Sequence, residues 1–130
     1  LTLIEGDNLT LNFDDGRVVL KTQDSHAFNC ELPVVGTPSD ADVLVINVMA
    51  KATKWEISSC AVATEFNKQL LPNEMAILIP LTDGCVFNGD VEMFAPGKHE
   101  TLVVSGTCHL SCKSLNTKFL KAVLKNKSEK

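Results

Sequence analysis

The sequence predicts an all-β fold, an antiparallel β-sandwich or jelly roll that carries one C-terminal amphipathic helix. Three observations predict it. Apolar and polar residues alternate over many short segments, the period of strands with one dry face and one wet face. Turn signals such as Asp15-Gly16, Asp83-Gly84, Asn88-Gly89 and Pro96-Gly97 separate these segments, at the roughly eight- to twelve-residue spacing of sandwiches. Only the end changes period: Leu115, Phe119, Leu120, Val123 and Leu124 recur at helical spacing among lysines. The expected organisation is a β-sandwich domain over residues 1–112 and a lysine-rich C-terminal helix or tail over 113–130.

The elements follow in order. Leu9, Leu11 and Phe13 share one parity, and Asp15-Gly16 tolerates the positive φ of a two-residue hairpin turn. That turn sets Phe13 opposite Val18 and Leu11 opposite Leu20. Residues 26–32 alternate again, with Phe28, Cys30 and Leu32 inward, and Pro33 ends the run. Residues 36–41 read Gly-Thr-Pro-Ser-Asp-Ala, a loop by composition. Residues 43–50 are apolar on both parities except Asn47, which predicts a central strand covered on both sides. Residues 54–62 form a strand with Trp55 and Ile57 on one face. Residues 65–71 are undecided, with one or two helical turns closed by Pro72 as one reading. Strands at 75–79, 85–87 and 91–94 follow.

Residues 101–112 alternate so regularly that they predict one long strand, with Leu102, Val104, Cys108, Leu110 and Cys112 on its dry face. Gly106 falls on the same parity, so Gly106→Val is expected to disturb folding through lost space. The tail helix, capped by Ser114 or Asn116, is expected to dock its apolar stripe on the domain or on a partner.

At 130 residues the chain suffices for one domain with a sizeable core. Its 45% apolar and 22% charged content is ordinary for a soluble protein, and no apolar run approaches the roughly 20 residues of a membrane span. No signal peptide is visible, although the chain begins without Met. The net charge of −4 is uneven: residues 113–130 hold six lysines against one acid, while 1–112 hold six basic and fifteen acidic residues. An acidic body with a basic tail suits a basic protein partner for the body or an acidic one for the tail. The candidate partner-binding residues are Lys118, Lys121, Lys125 and Phe119 on the tail and Asp14 and Asp15 at the hairpin. Asp14-Asp15, like Asp40 and Asp42, are turn formers rather than calcium ligands.

The five cysteines, Cys30, Cys60, Cys85, Cys108 and Cys112, are odd in number and irregularly spaced. That predicts buried thiols in an intracellular, reducing compartment rather than a disulfide framework. Asn8-Leu9-Thr10 and Asn126-Lys127-Ser128 match the glycosylation pattern and matter only for a secreted chain. Cys108, His109 and Cys112 invite a metal reading, but a regular strand turns His109 away and separates the cysteines by about 13 Å. No nucleophile elbow, phosphate loop or spaced carboxylate pair stands out, so no catalytic residue, metal or cofactor is expected. Nucleic acid is disfavoured by the acidic body and the lack of tyrosine. An immunoglobulin-type reading fits the strand count, but Trp55 lies far from Cys30 and no tyrosine exists.

Residues 103–110, Val-Val-Ser-Gly-Thr-Cys-His-Leu, resemble the terminal strand of nucleoplasmin-type histone chaperone cores, with one extra residue between Gly and His. Residues 27–32, Ala-Phe-Asn-Cys-Glu-Leu, are similar to their opening strand with Asn29 in place of glycine, and Pro72 sits in a similar Leu-Leu-Pro context. The resemblance covers a small part of the chain and lacks the acidic tract. It implies an eight-stranded jelly roll that forms pentamers and binds basic histones.

The function expected is therefore a non-catalytic protein-interaction or assembly module, a homo-oligomer among its forms. The alternatives are a structural or cell-surface sandwich, viral or secreted, and an enzyme domain whose site the sequence does not reveal.

Overall fold

A computed structural model describes residues 1–29, 31–39, 42–113 and 116–127. Thirteen strands form among them, all paired antiparallel, in two compact units, Leu1–Met49 and Ala50–Lys130. No helix among the described residues is long and apolar enough to cross a membrane.

The first unit contains β1 (Thr2–Glu5), β2 (Asn8–Phe13), β3 (Gly16–Lys21), β4 (Val34–Pro38) and β5 (Leu44–Ile46). β1 pairs with β5, and β2 lies between β3 and β4. Leu3, Leu9, Leu11 and Leu20 form its buried core. The chain turns between β1 and β2 at Gly6, where φ is +114°; a Cβ there would stand 2.6 Å from Val43 Cγ1, so both backbone and space demand glycine.

The expected hairpin forms with a different register. Phe13 faces Gly16, Leu11 faces Val18 and Leu9 faces Leu20, around an Asp14-Asp15 turn. A slip of two residues keeps every side chain on its face, so the alternation could not detect it. Positive φ falls on Gly16, at +155°, and on neither aspartate, so the turn differs from the one Asp15-Gly16 suggested.

Three other expectations for this unit fail. Residues 26–29 form no strand; Ser25 makes one isolated bridge to Thr2, and Glu31 and Leu32 lie in a turn. Gly36, Thr37 and Pro38 belong to β4 instead of a loop. Pro38 is tolerated because β4 is an edge strand, with β2 on one side only. The strand predicted at 43–50 shortens to β5 and has β1 as its neighbour, so it is not central. Cys30 and Asp40 lie outside the described residues.

The second unit contains β6 (Trp55–Ala63), β7 (Glu65–Leu70), β8 (Glu74–Pro80), β9 (Phe87–Asn88), β10 (Met93–Phe94), β11 (Leu102–Ser105), β12 (Cys108–Lys113) and β13 (Phe119–Asn126). They form two four-stranded sheets, ordered β11-β8-β13-β6 and β10-β9-β12-β7. Phe66, Leu70, Phe87, Leu110 and Cys112 from one sheet meet Ala76, Leu78, Phe119 and Val123 from the other in one buried cluster, a sandwich-like arrangement.

The C-terminal helix is not seen. Residues 119–126 are β13, hydrogen-bonded to β8 on one side and β6 on the other. Leu120, Ala122 and Leu124 are buried on one face and Phe119 and Val123 on the other. A strand dry on both faces shows a near-continuous apolar run, which mimics a helical stripe. Phe119 is fully buried, its ring edge-on to Phe87 with centroids 5.1 Å apart, so it is no surface contact. Ser114, Leu115 and residues 128–130, with the second glycosylation triplet's Ser128, lie outside the described residues.

The long strand predicted over 101–112 is also broken. β11 pairs with β8 and β12 with β7, so the chain crosses between sheets at Ser105-Gly106-Thr107. Gly106 has φ +90°, and a Cβ there would meet nothing within 4 Å. Glycine is needed for backbone conformation rather than for inward space. Residues 65–71 resolve as the strand β7: Phe66 and Leu70 are buried while Glu65, Asn67 and Gln69 are exposed, a period of two.

Candidate functional site

A cleft of about 470 Å³ opens in the second unit where β6 and β7, each the edge of its sheet, part company. Ser58, Ser59, Glu65, Phe66, Lys68 and Lys121 are among its lining residues. Cross-strand registers explain the space. On the core-facing parity, Ala63 faces Phe119, Ala61 faces Lys121 and Ser59 faces Val123. Three small side chains on β6 leave the sandwich thin at this edge, and Phe66 fills only part of it.

Lys121 occupies a core-facing position between Phe119 and Val123, where an apolar residue is the ordinary choice. Its Nζ lies 5.9 Å from the centroid of the Phe66 ring. The aliphatic stem covers apolar surface while the ammonium reaches the cleft. Among the described residues no carboxylate pairs with it. Lys68, also on the core-facing parity of β7, differs: its Nζ is 3.4 Å from Glu74 Oε2. The other oxygen of Glu74, Oε1, accepts a hydrogen bond from the Leu71 N–H at 2.8 Å. The Ser58 hydroxyl donates to the Val123 carbonyl at 3.0 Å, beside the bulge at Val123/Leu124. One cation is thus neutralised within the fold and the other is left to the cleft.

On the far side of β7 a second hollow, about 600 Å³, shares Glu65, Phe66 and Asn67 with the first and adds Asn88, Ser111 and Cys112. Ser111 faces both Asn67 and Asn88 in register, so three hydrogen-bonding side chains form one row. His109, exposed on the same face, places Nε2 2.5 Å from Asn67 Oδ1, and its backbone N–H donates to Asp90 Oδ1 at 3.2 Å. Cys108 and Cys112 point the other way, Cys112 into the core. Burial pushes the Cys112 thiol up, and neighbouring Cys85 adds to this against an opposing backbone hydrogen bond from Val86. No cluster of three or more His, Cys, Asp or Glu side chains that could hold a metal occurs among the described residues.

The residues singled out from sequence are scattered. Lys121 lines the cleft, whereas Lys118 and Lys125 are exposed and do not line it. The Lys118 backbone N–H bonds Thr82 Oγ1 at 3.0 Å. Asp14 and Asp15 are exposed at the hairpin tip of the first unit. Sequence reasoning missed Ser58, Ser59, Phe66 and Lys68. For Phe66 and Lys68 the one legible signal was the alternation of residues 65–70, with Lys68 on the parity of Phe66 and Leu70; Ser58 and Ser59 carried none.

The HutD family model matches residues 1–122. The chain belongs to the HutD family. Among solved structures, a conserved protein of unknown function from Pseudomonas aeruginosa PAO1 is similar to this HutD-family chain, with a TM-score of 0.75 over 96% of this chain and 70% of that one. At 15% sequence identity the likeness shows the fold alone. No curated protein matches the sequence. Membership over 122 residues overturns the resemblance to nucleoplasmin-type histone chaperones, and with it the expected histone partner. The structure shows why those motifs misled: residues 103–110 span a crossing between two sheets, and residues 27–29 form no strand.

Proposed function

We propose that this HutD-family chain is a non-catalytic binding module that holds a small polar solute bearing an anionic group in the cleft between β6 and β7. The observation that carries this reading is Lys121: a cation on a core-facing parity, resting on Phe66, with no carboxylate partner among the described residues. An anion there gains a charge-assisted hydrogen bond in a partly desolvated setting. Ser59 and Asn67, both lining the cleft, supply neutral hydrogen-bonding groups for the rest of the solute.

Isothermal titration with a panel of small mono- and dicarboxylates, alongside inorganic phosphate, tests it. Saturable binding of at least one, weakened roughly tenfold or more in Lys121→Met, is expected. Absence of binding across the panel, or affinity indifferent to that substitution, would sink the reading.

A second reading is an assembly module acting through contacts between copies of the chain. It is supported by Val91 and Met93, 93% and 74% exposed, beside and on the sheet-edge strand β10. Exposed apolar side chains at a short, unpaired edge suit a protein contact. Light scattering behind size exclusion should then show an oligomer that Met93→Lys dissociates; a monomer at all concentrations excludes it.

A further inference from the structure

The first unit holds a hollow of its own, of about 290 Å³, lined in part by the rings of Phe13, His26 and Phe28. Phe13 and Phe28 meet edge to face with centroids 5.3 Å apart. His26 stacks on Phe28 at 6.1 Å and lies 6.0 Å from Phe13. Leu32, half-exposed, lines the same space. So does Asp15, at the tip of the β2–β3 hairpin with Asp14 beside it. Arg17 also borders the hollow, but its register partner is Asn12, which puts it on the opposite parity from Phe13 and Val18.

We infer that this hollow is a binding site for a small organic cation of the alkylammonium class. Aromatic faces carry negative potential and attract ammonium groups within about 6 Å of a ring centroid. An acidic side chain at the same place favours a cation further and penalises an anion. A neutral apolar guest would leave the carboxylate unused, and an anion would be set against it. Asp15 offsets the Arg17 charge at the border of the hollow, and the three rings then favour a cation of matching size. The site uses none of the groups in the cleft between β6 and β7, so either can fail without the other.

The test uses the full chain and choline, with its uncharged isostere, in which carbon replaces nitrogen, as the comparison. Proton NMR should show the choline methyl resonances shifting upfield on binding, the mark of ring faces. Asp15→Asn, an exposed turn substitution that leaves the core untouched, should weaken choline roughly threefold to thirtyfold. Phe28→Leu should weaken it by a similar factor and reduce the upfield shift. Asp83→Asn, which removes the same charge in the second unit, should change nothing. Equal binding of the isostere, no upfield shift, or an equal loss in Asp83→Asn would each overturn the assignment.

Discussion

The Lys121 ammonium stands 5.9 Å from the centroid of the Phe66 ring, on the side of β13 where its neighbours Phe119 and Val123 are buried. One charged residue thus interrupts an otherwise apolar row at the place where the two sheets separate. The contact stabilises modestly, since a cation–ring contact whose ammonium stays open to solvent contributes about 0.5–1 kcal/mol. A methionine in its place keeps the stem and makes a sulfur–ring contact of similar size, about 0.3–1.5 kcal/mol. Lys121→Met is therefore expected to leave the unfolding free energy in urea within about 1 kcal/mol of the parent while anion binding weakens roughly tenfold or more. A large loss of stability would show the lysine to be a structural residue.

Gly106 joins β11 to β12 at φ +90° with open space around its missing Cβ. Gly106→Ala should cost about 1–2 kcal/mol from backbone strain alone, and Gly106→Asn less, because asparagine tolerates that region better. Chemical denaturation of both variants checks the order. A loss for Gly106→Asn as large as that for Gly106→Ala would show that backbone strain is not the cause.

Phe119 is fully buried and meets Phe87 edge to face at 5.1 Å. Phe119→Ala should cost about 3–5 kcal/mol, a large share of the stability of a small domain. Phe119→Leu, which gives up mainly the ring pair, should cost about 1 kcal/mol or somewhat more. Thermal or urea unfolding measures both. A surface role for Phe119 would instead leave stability unchanged and impair binding.

The buried Cys112 thiol has its pKa raised above the ordinary 9.0, first by desolvation and then by Cys85. Folding holds the proton more tightly than the unfolded chain does. The resulting stability is present below pH 9.0 and is lost as the pH rises above it toward the folded value. Denaturation midpoints between pH 8 and 10 should fall, and the fall should be smaller in Cys112→Ala. Alkylation at neutral pH should spare Cys85 and Cys112 until the chain unfolds, since both side chains are buried.

The all-β class was legible because alternation and turn residues are local signals. Leu9, Leu11 and Phe13 against Val18 and Leu20 identified the first hairpin, and Pro72 and Pro80 bounded β8 correctly to within a residue or two. The register of that hairpin was not legible, since a slip of two preserves every face. Nor was β13, because burial on both sides erases the period that separates strand from helix. The regular alternation of residues 101–112 hid a crossing between sheets, which a single positive φ accomplishes without disturbing parity on either side.

The candidate site was less legible than the fold. Lys121 was singled out for charge on a supposed helix, and its importance here comes from its place between Phe119 and Val123. Ser59 and Ala61 are unremarkable in sequence; facing Val123 and Lys121 across the ladder, they make room for a cleft.

By itself the sequence determined what each residue can do locally: which segments extend, where the chain can turn, and which side chains seek burial. Those preferences act over a few residues and need no partner. Tertiary structure alone decided which strands became neighbours, that β6 and β7 border different sheets, and that Lys121 meets no carboxylate among the described residues. These outcomes depend on pairings between residues far apart in the chain, such as Ala61 with Lys121, and a local pattern carries no record of them.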